Sequence, residues 1–422
     1  MTPKSKPSRV HHFVPRSALR RFAADADRSF VMVFDKQTGR AYQGGMTPTG
    51  SGKDYNVLRR PDGSVLHFEN DFDQIDADYA LVGDELARRR SLAGLDDAFL
   101  HRLADVAAVQ LLRTPLIRST LEKLPRDFFE DLAAHGFEAP TEDELPDDNA
   151  VRQSTRETIA KRDRQRMALL AKDIVLFEPT GAGRFWISDH PVVTHSLAPL
   201  GQTGLESLGV EIYLPIASDL LVGFLCPSLR DTQVIHHDAA GEHKVRMERF
   251  VTSGAPLGLT DARVNFFNSL QVMFSQRFLY ASRDAFDLAR KMIARWPELA
   301  SNDTLIHVGK MGQAPPRSRN IPPGDWLYLE TNHDYLMIPI RDYDGEGFTR
   351  QMSTDRLDLL AEALDRGEFL EAQVFTEQYG SMTRGVKLER VEGADPGRFR
   401  ICCIDPFMRS LDEQHALKKG DG

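Results

Sequence analysis

Cysteine is nearly missing from this chain of 422 residues: there are three, Cys226, Cys402 and Cys403, and two of them are adjacent. So few thiols exclude a disulfide framework, and a reducing cytoplasm is the expected location. Long hydrophobic runs are absent too. No apolar stretch approaches the ~20 residues that a membrane-spanning helix needs, so no membrane association is expected. The opening residues are polar, and no secretory signal peptide is expected. Positive charge is also short. Lys and Arg total 53 against 62 Asp and Glu, a formal net charge of −9. That balance argues against coating of nucleic acid by the whole protein. The shortage is uneven: residues 1–21 carry Lys4, Lys6, Arg9, Arg16, Arg20 and Arg21 and no acid. A nucleic acid or a small anionic ligand therefore stays open as a partner at that end. HExxH, GxSxG and GxGxxG are absent. The stretch Gly45 to Lys53 misses the phosphate-loop spacing, because Thr47 stands where glycine is required and Asp54 where Ser or Thr is required.

What is present reads as globular. Hydrophobic residues make up 41% and charged residues 27%, near the averages of folded domains. The length predicts two or three domains. Ser29 to Tyr42 reads as a hairpin broken at Lys36-Gln37-Thr38-Gly39, and Leu58 to Phe68 as another turning at Pro61-Asp62-Gly63. The period then changes. Phe72, Ile75, Tyr79, Val82 and Leu86 recur at three and four, one face of a helix. Further helices are expected over Asp96–Leu112, Arg118–His135 and Val151–Lys172. Strand patterns follow from Ile174 to Phe250, and Asp261–Ser282 reads as a closing helix. The basic, Pro-rich stretch 309–324 reads as a linker. Expected units are a tail at 1–8, an α+β domain at 9–300, a small α+β domain at 325–411 and a polar tail at 412–422. The fold class is α+β: a helical bundle packed with a mostly antiparallel sheet.

Residues 9–22 read Arg-Val-His-His-Phe-Val-Pro-Arg-Ser-Ala-Leu-Arg-Arg-Phe. This HHxVPxxxLxxF pattern resembles the bacterial family known as domain of unknown function 4238. Later segments extend the likeness in order: Phe34-Asp35-Lys36, Lys53-Asp54-Tyr55, Glu69 with Ile75-Asp76, Leu112-Arg113-Thr114-Pro115, Trp186 to Val192, Tyr213-Leu214-Pro215 and Val264 to Asn268. Asp76 departs from the glutamate that the family usually carries. The resemblance spans about residues 9–283 and leaves the chain after Val308 uncovered.

His11, His12, Glu69, Asp76 and Asp189 are the ionisable members of these motifs. Glu69 and Asp76 lie two helical turns apart and share a face. Imidazoles with carboxylates make a mixed nitrogen and oxygen donor set suited to Mg²⁺, Mn²⁺, Fe²⁺ or Zn²⁺. The reading assigns His11, Glu69 and Asp76 to the metal, His12 to the general base, and Asp189 to a catalytic acid group at a strand end. Arg113, at a helix C-terminus, is placed to bind a phosphate or carboxylate. Each residue also has a plainer role. The histidine pair can be structural, since strand neighbours face opposite ways. Glu69 can be a helix-start acid, Asp76 a solvated one, Arg113 an ion-pair partner and Asp189 a turn former.

Two functions follow. The first is a metal-dependent phosphodiester hydrolase, nuclease-like, of the kind found in toxin or defence systems. The second is a non-enzymatic recognition or regulatory module that binds a small anion or a protein partner, with the His-His motif structural.

Overall fold

The computed structural model describes residues 9–305, apart from 61, 139, 142–143, 197–203, 207–209 and 231–232, and the backbone of six strands between 326 and 403. The chain enters through β1 (Val10–His12), α1 (Arg16–Arg20), β2 (Phe30–Asp35), β3 (Arg40–Gly45), β4 (Ser51–Lys53), β5 (Val57–Arg59) and β6 (Val65–His67). Five helices follow: α2 (Asp73–Arg89), α3 (Asp97–Leu112), α4 (Pro115–Ala134), α5 (Asp148–Ala160) and α6 (Asp163–Leu170). Next come β7 (Asp173–Pro179), β8 (Ile187–Ser188), β9 (Val193–Ser196), β10 (Val210–Ala217), β11 (Leu220–Leu225), β12 (Gln233–Asp238) and β13 (Gly241–Arg246). The described body ends with α7 (Glu248–Ser253), β14 (Leu257–Leu259), α8 (Asp261–Phe274), β15 (Phe278–Ala281) and α9 (Asp287–Arg295).

The protein is thus mixed α+β, with mostly antiparallel sheets. A five-stranded sheet has the order β14-β7-β11-β10-β9, and a four-stranded sheet has the order β3-β2-β15-β8. β14 alongside β7 is the parallel pair among them. β11 is buried along its whole length, because both faces of its sheet are covered, which is why it reads as an unbroken apolar run. Val82 and Leu86 of α2 and Leu103 and Ala107 of α3 pack on one face against Leu176, Ile212, Leu214 and Val222. On the other, Phe177, Tyr213 and Leu221 share a core with Phe267 of α8 and with Phe13, Leu19 and Phe22 of the entry segment. The four-stranded sheet has its own core, in which Phe34, Trp186, Val272, Leu279 and Phe286 meet.

Helix starts follow local chemistry. Asp96 accepts the Phe99 amide at 2.8 Å and Asp147 the Ala150 amide at 2.7 Å, each satisfying one orphan donor of a first turn. Pro115 sits at the first position of α4, where a missing N–H costs nothing, so the helix begins three residues before the predicted Arg118. The predicted helix Val151–Lys172 is two, α5 and α6, parted at Lys161-Arg162. The predicted helix Asp261–Ser282 is likewise corrected. It stops at Phe274, Ser275 turns extended (φ −64°, ψ 141°), and the aromatic run that follows is strand β15.

Strands β16 (Trp326–Glu330), β17 (Tyr335–Pro339), β18 (Phe348–Gln351), β19 (Leu370–Thr376), β20 (Gly380–Arg390) and β21 (Arg398–Cys403) form a six-stranded sheet of order β17-β16-β19-β20-β21-β18. The linker at 309–324, the terminal tails and the segment 354–365, where Leu357, Leu360, Ala361 and Leu364 predict a helix, lie outside the described residues. Among the described residues, no helix is long and apolar enough to cross a membrane.

Candidate functional site

Strand β1 pairs with β4 in the register His11 opposite Gly52 and His12 opposite Ser51. Alternation then decides the two histidines: His11 is fully buried and His12 half-buried, as neighbours on a strand require. The Gly-rich segment that fails as a phosphate loop cradles the strand's end. The Gly50 carbonyl accepts the amides of both Phe13 and Val14, at 2.9 and 3.0 Å. Gly50 has φ +65°, and a Cβ there would lie 3.0 Å from that of Val14, so glycine is required on both counts.

His11 faces inward, and its Nδ1 accepts the Asn56 amide at 2.8 Å. That bond occupies the Nδ1 lone pair and places the ring proton on Nε2. Its ring also meets that of His67 edge-on, at 6.1 Å. The Asn56 side chain donates to Glu69 Oε2 at 2.5 Å, while the His12 amide donates to Glu69 Oε1 at 3.1 Å. Both Glu69 oxygens are therefore engaged, and His11, Asn56, Glu69 and the His12 backbone form one linked set, which Arg118 joins through Nη2 to Asn56 Oδ1 at 3.4 Å.

His12 turns the other way. Its Nε2–H donates to the Thr47 carbonyl at 3.0 Å, which leaves the Nδ1 lone pair open. Burial lowers the His12 pKa, and Arg16 adds to this; the Thr47 bond and the charges of Glu69 and Asp76 oppose it. The imidazole is therefore neutral at pH 7, with carboxylates close by.

Asp76 meets Arg113: Nη1 donates to Asp76 Oδ1 at 2.6 Å. The guanidinium is buried, whereas the Asp76 side chain is about a third exposed (34%). Arg113 Nε donates to the Phe13 carbonyl at 3.2 Å and to Gln110 Oε1 at 3.1 Å, and Gln110 Nε2 donates to the same carbonyl at 2.7 Å. The residue after the histidine pair is thus bolted to the end of α3. The Arg113 side chain lies over the Phe72 ring, 5.5 Å from its centroid.

Asp189 has a different setting. Its Oδ1 accepts the Gln276 amide and its Oδ2 the amides of Arg277 and Phe278, each at 2.8 Å. Burial pushes its pKa up, while the three amides and Lys36 pull the other way. These bonds fasten the end of β8 to the turn that enters β15. The next residue, His190, is also buried, and its Nδ1 lies 2.7 Å from Thr114 Oγ1. Lys36 gives its ammonium to the carbonyls of Val272 and Ser275, at 2.8 and 2.7 Å, and burial lowers its pKa to about 8.

The structure therefore brings His11, His12 and Glu69 into one hydrogen-bonded set, with the Asp76–Arg113 pair joined to it through Phe13. Asp189 belongs to the neighbouring strand end and commits its oxygens to main-chain amides. Among the described residues, no three or more His, Cys, Asp or Glu side chains are grouped to hold a metal ion. Sequence reasoning missed Asn56, Thr47 and Gln110, which hold the site together. Their one signal is position, inside or just beside the motif segments. Among the described residues, His12 Nδ1 and Asp76 Oδ2 are open donor atoms here, and the buried Nδ1 of His67 also has no hydrogen-bond partner. His12 can move a proton, and Asp76 can hold a divalent ion through one carboxylate oxygen.

A family model described as protein of unknown function (DUF4238) matches residues 10–285. No curated protein and no solved structure matches the chain.

Proposed function

The chain belongs to the DUF4238 family, and from that premise we propose that it is a phosphodiester hydrolase with His12 as the general base. The observation that carries the reading is the state of His12: half-buried, neutral, anchored through Nε2 to Thr47, and open at Nδ1. A general base must present an unprotonated nitrogen at working pH and be held in a fixed orientation. Here Nδ1 takes the proton of a water as its oxygen attacks phosphorus. The phosphorus–ester bond breaks, and the leaving alkoxide takes a proton from solvent. Exposed Arg16, whose charge reaches His12, lies where it can draw in the phosphate.

A divalent metal fits this arrangement in one form. Zinc asks for three protein ligands in catalytic sites, and the donors of His11, Glu69 and Asp189 described above are in use. Mg²⁺ or Mn²⁺ keeps several waters and is bound through one or two carboxylates plus substrate oxygens. Asp76 Oδ2 would hold such an ion. The ion would supply charge to the developing phosphorane oxygens.

A second reading is favoured by the linked hydrogen bonds of His11, Asn56 and Glu69. Mutual saturation of that kind suits a structural motif, and the protein would then be a recognition or regulatory module that binds a small anion or a protein partner. The two separate on hydrolysis of bis(p-nitrophenyl) phosphate with Mg²⁺ or Mn²⁺. The hydrolase reading requires metal-stimulated turnover that His12→Ala abolishes. Turnover equal in wild type and His12→Ala, or none in either, gives the module reading.

A further inference from the structure

A cavity of about 610 Å³ lies between the end of α3, α6, strand β9 and the end of α8, with His190 in its wall. Leu111, Ala168, Val192 and Phe274 give it apolar walls, and His190 and Gln165 bring polar atoms to it. Exposed Arg164 and Glu206 pair at its mouth, Nε to Oε1 at 3.0 Å. The volume is that of ordinary small-molecule sites, which are mainly apolar with few fixed polar groups.

Gln165 and His190 define what fits. Among the described residues, the Oε1 of Gln165 is buried and has no hydrogen-bond partner, a destabilising state until a donor reaches it. The His190 ring stacks on Phe274, with centroids 6.4 Å apart and planes at 18°. Its Nδ1 is engaged by Thr114, so Nε2 is the ring nitrogen left for an occupant. Burial lowers the His190 pKa to about 3, so the ring is neutral at pH 7 and offers no charge to an anion. The cationic group on the wall, Arg164, is already paired with Glu206.

We propose that this cavity is a binding site for an uncharged, mostly apolar small molecule whose N–H or O–H donates to Gln165 Oε1 and whose body packs on Phe274. The site is separate from the His12 surface, and its occupancy does not depend on the hydrolase reading.

N-phenyl-1-naphthylamine, neutral and carrying one N–H donor, is a direct probe. Titrated into the full-length chain, it is expected to saturate at one molecule per chain with enhanced, blue-shifted emission. Ala168→Phe fills the cavity, and Leu205→Trp narrows it from a half-exposed position where folding is not at stake. Each should weaken binding at least tenfold, with circular dichroism unchanged for Leu205→Trp. Gln165→Leu should weaken it about fivefold and leave any phosphodiester hydrolysis as it was. The anionic analogue 8-anilino-1-naphthalenesulfonate should bind at least tenfold less tightly. Absence of saturable binding, or binding that both Ala168→Phe and Leu205→Trp leave intact, overturns the site. Equal affinity for the anionic probe overturns the ligand class.

Discussion

The Thr114 hydroxyl meets Nδ1 of His190 at 2.7 Å, with both residues buried. Thr114 is the N-cap residue of α4, yet its side chain makes no capping bond to that helix. The hydroxyl is spent across the fold instead, joining the Arg-Thr-Pro turn to the strand end that carries Asp189. Removing it strands a buried imidazole nitrogen. Thr114→Val should lower stability by roughly 1–3 kcal/mol, the cost of an unsatisfied buried group, and Thr114→Ser should retain most of it. Urea denaturation of the two variants beside wild type measures the difference.

The same histidine sets an acid limit on stability. Its pKa is lowered from the ordinary 6.5 to about 3 in the fold, so between those values the unfolded chain binds a proton that the native one does not. Stability from this group is fully present above pH 6.5 and is lost as pH falls toward 3, by at most about 1.4 kcal/mol per pH unit. His190→Asn keeps a side-chain partner for Thr114 and has no such proton. Its unfolding free energy should fall less steeply than that of wild type between pH 6 and pH 4. Parallel curves would contradict the assignment.

Asp189 tests whether a motif carboxylate works by chemistry or by architecture. Three main-chain amides converge on it, and a neutral amide can accept fewer of them. Asp189→Asn should cost roughly 2–4 kcal/mol of stability, two or more charge-assisted bonds being weakened. Per folded molecule, hydrolysis should be unchanged. A large fall in kcat with normal stability would return Asp189 to the chemistry.

His12 should behave in the opposite way. It is partly exposed, so His12→Ala should leave the melting temperature within a few degrees of wild type, whereas Asp76→Asn removes the counter-charge of the buried Arg113 and should lower it. Loss of a general base typically costs about 10²–10⁴ in rate. The base is active when neutral, and burial lowers its pKa. Wild-type kcat/KM should therefore be level near neutrality and decline only below pH 6.5. A rate that rises between pH 7 and pH 9 would show that some other group is the base.

Much of this arrangement was legible in the sequence wherever one force dominates. The face Ile75, Tyr79, Val82 and Leu86 is buried as its spacing predicts, and the apolar run Leu220 to Leu225, inside the stretch with strand patterns, is strand β11. The family likeness was legible from ordered motifs, and the match over residues 10–285 agrees with it. What escaped is long-range. Phe278 fits a helical face as well as a strand, and only the vacancy between β2 and β8 makes it strand, which no local pattern encodes. The roles of Asn56 and Thr47 depend on β1 lying beside β4, a pairing that brings residues 10–12 to residues 51–53. Residue type alone gives Glu69 and Asp189 equal claims to chemistry. Their partners, visible only in three dimensions, separate structural acids from an open one such as Asp76.

The position of β15 between β2 and β8 has a consequence for how the chain is made. Strands β2 and β3 leave the ribosome early, but the strand that completes their sheet is synthesised far later, and the Asp35–Arg277 ion pair beside it spans 242 residues. Until Ala281 has emerged, the nascent chain carries an unpaired β2 edge, a template for joining another nascent chain. The body should therefore fold only once Ala281 has emerged, late in translation, and slowly for its size, since so distant a closure is costly. A chain stopped at Ser275 should sediment as aggregate, whereas one stopped at Leu305 should stay in the supernatant.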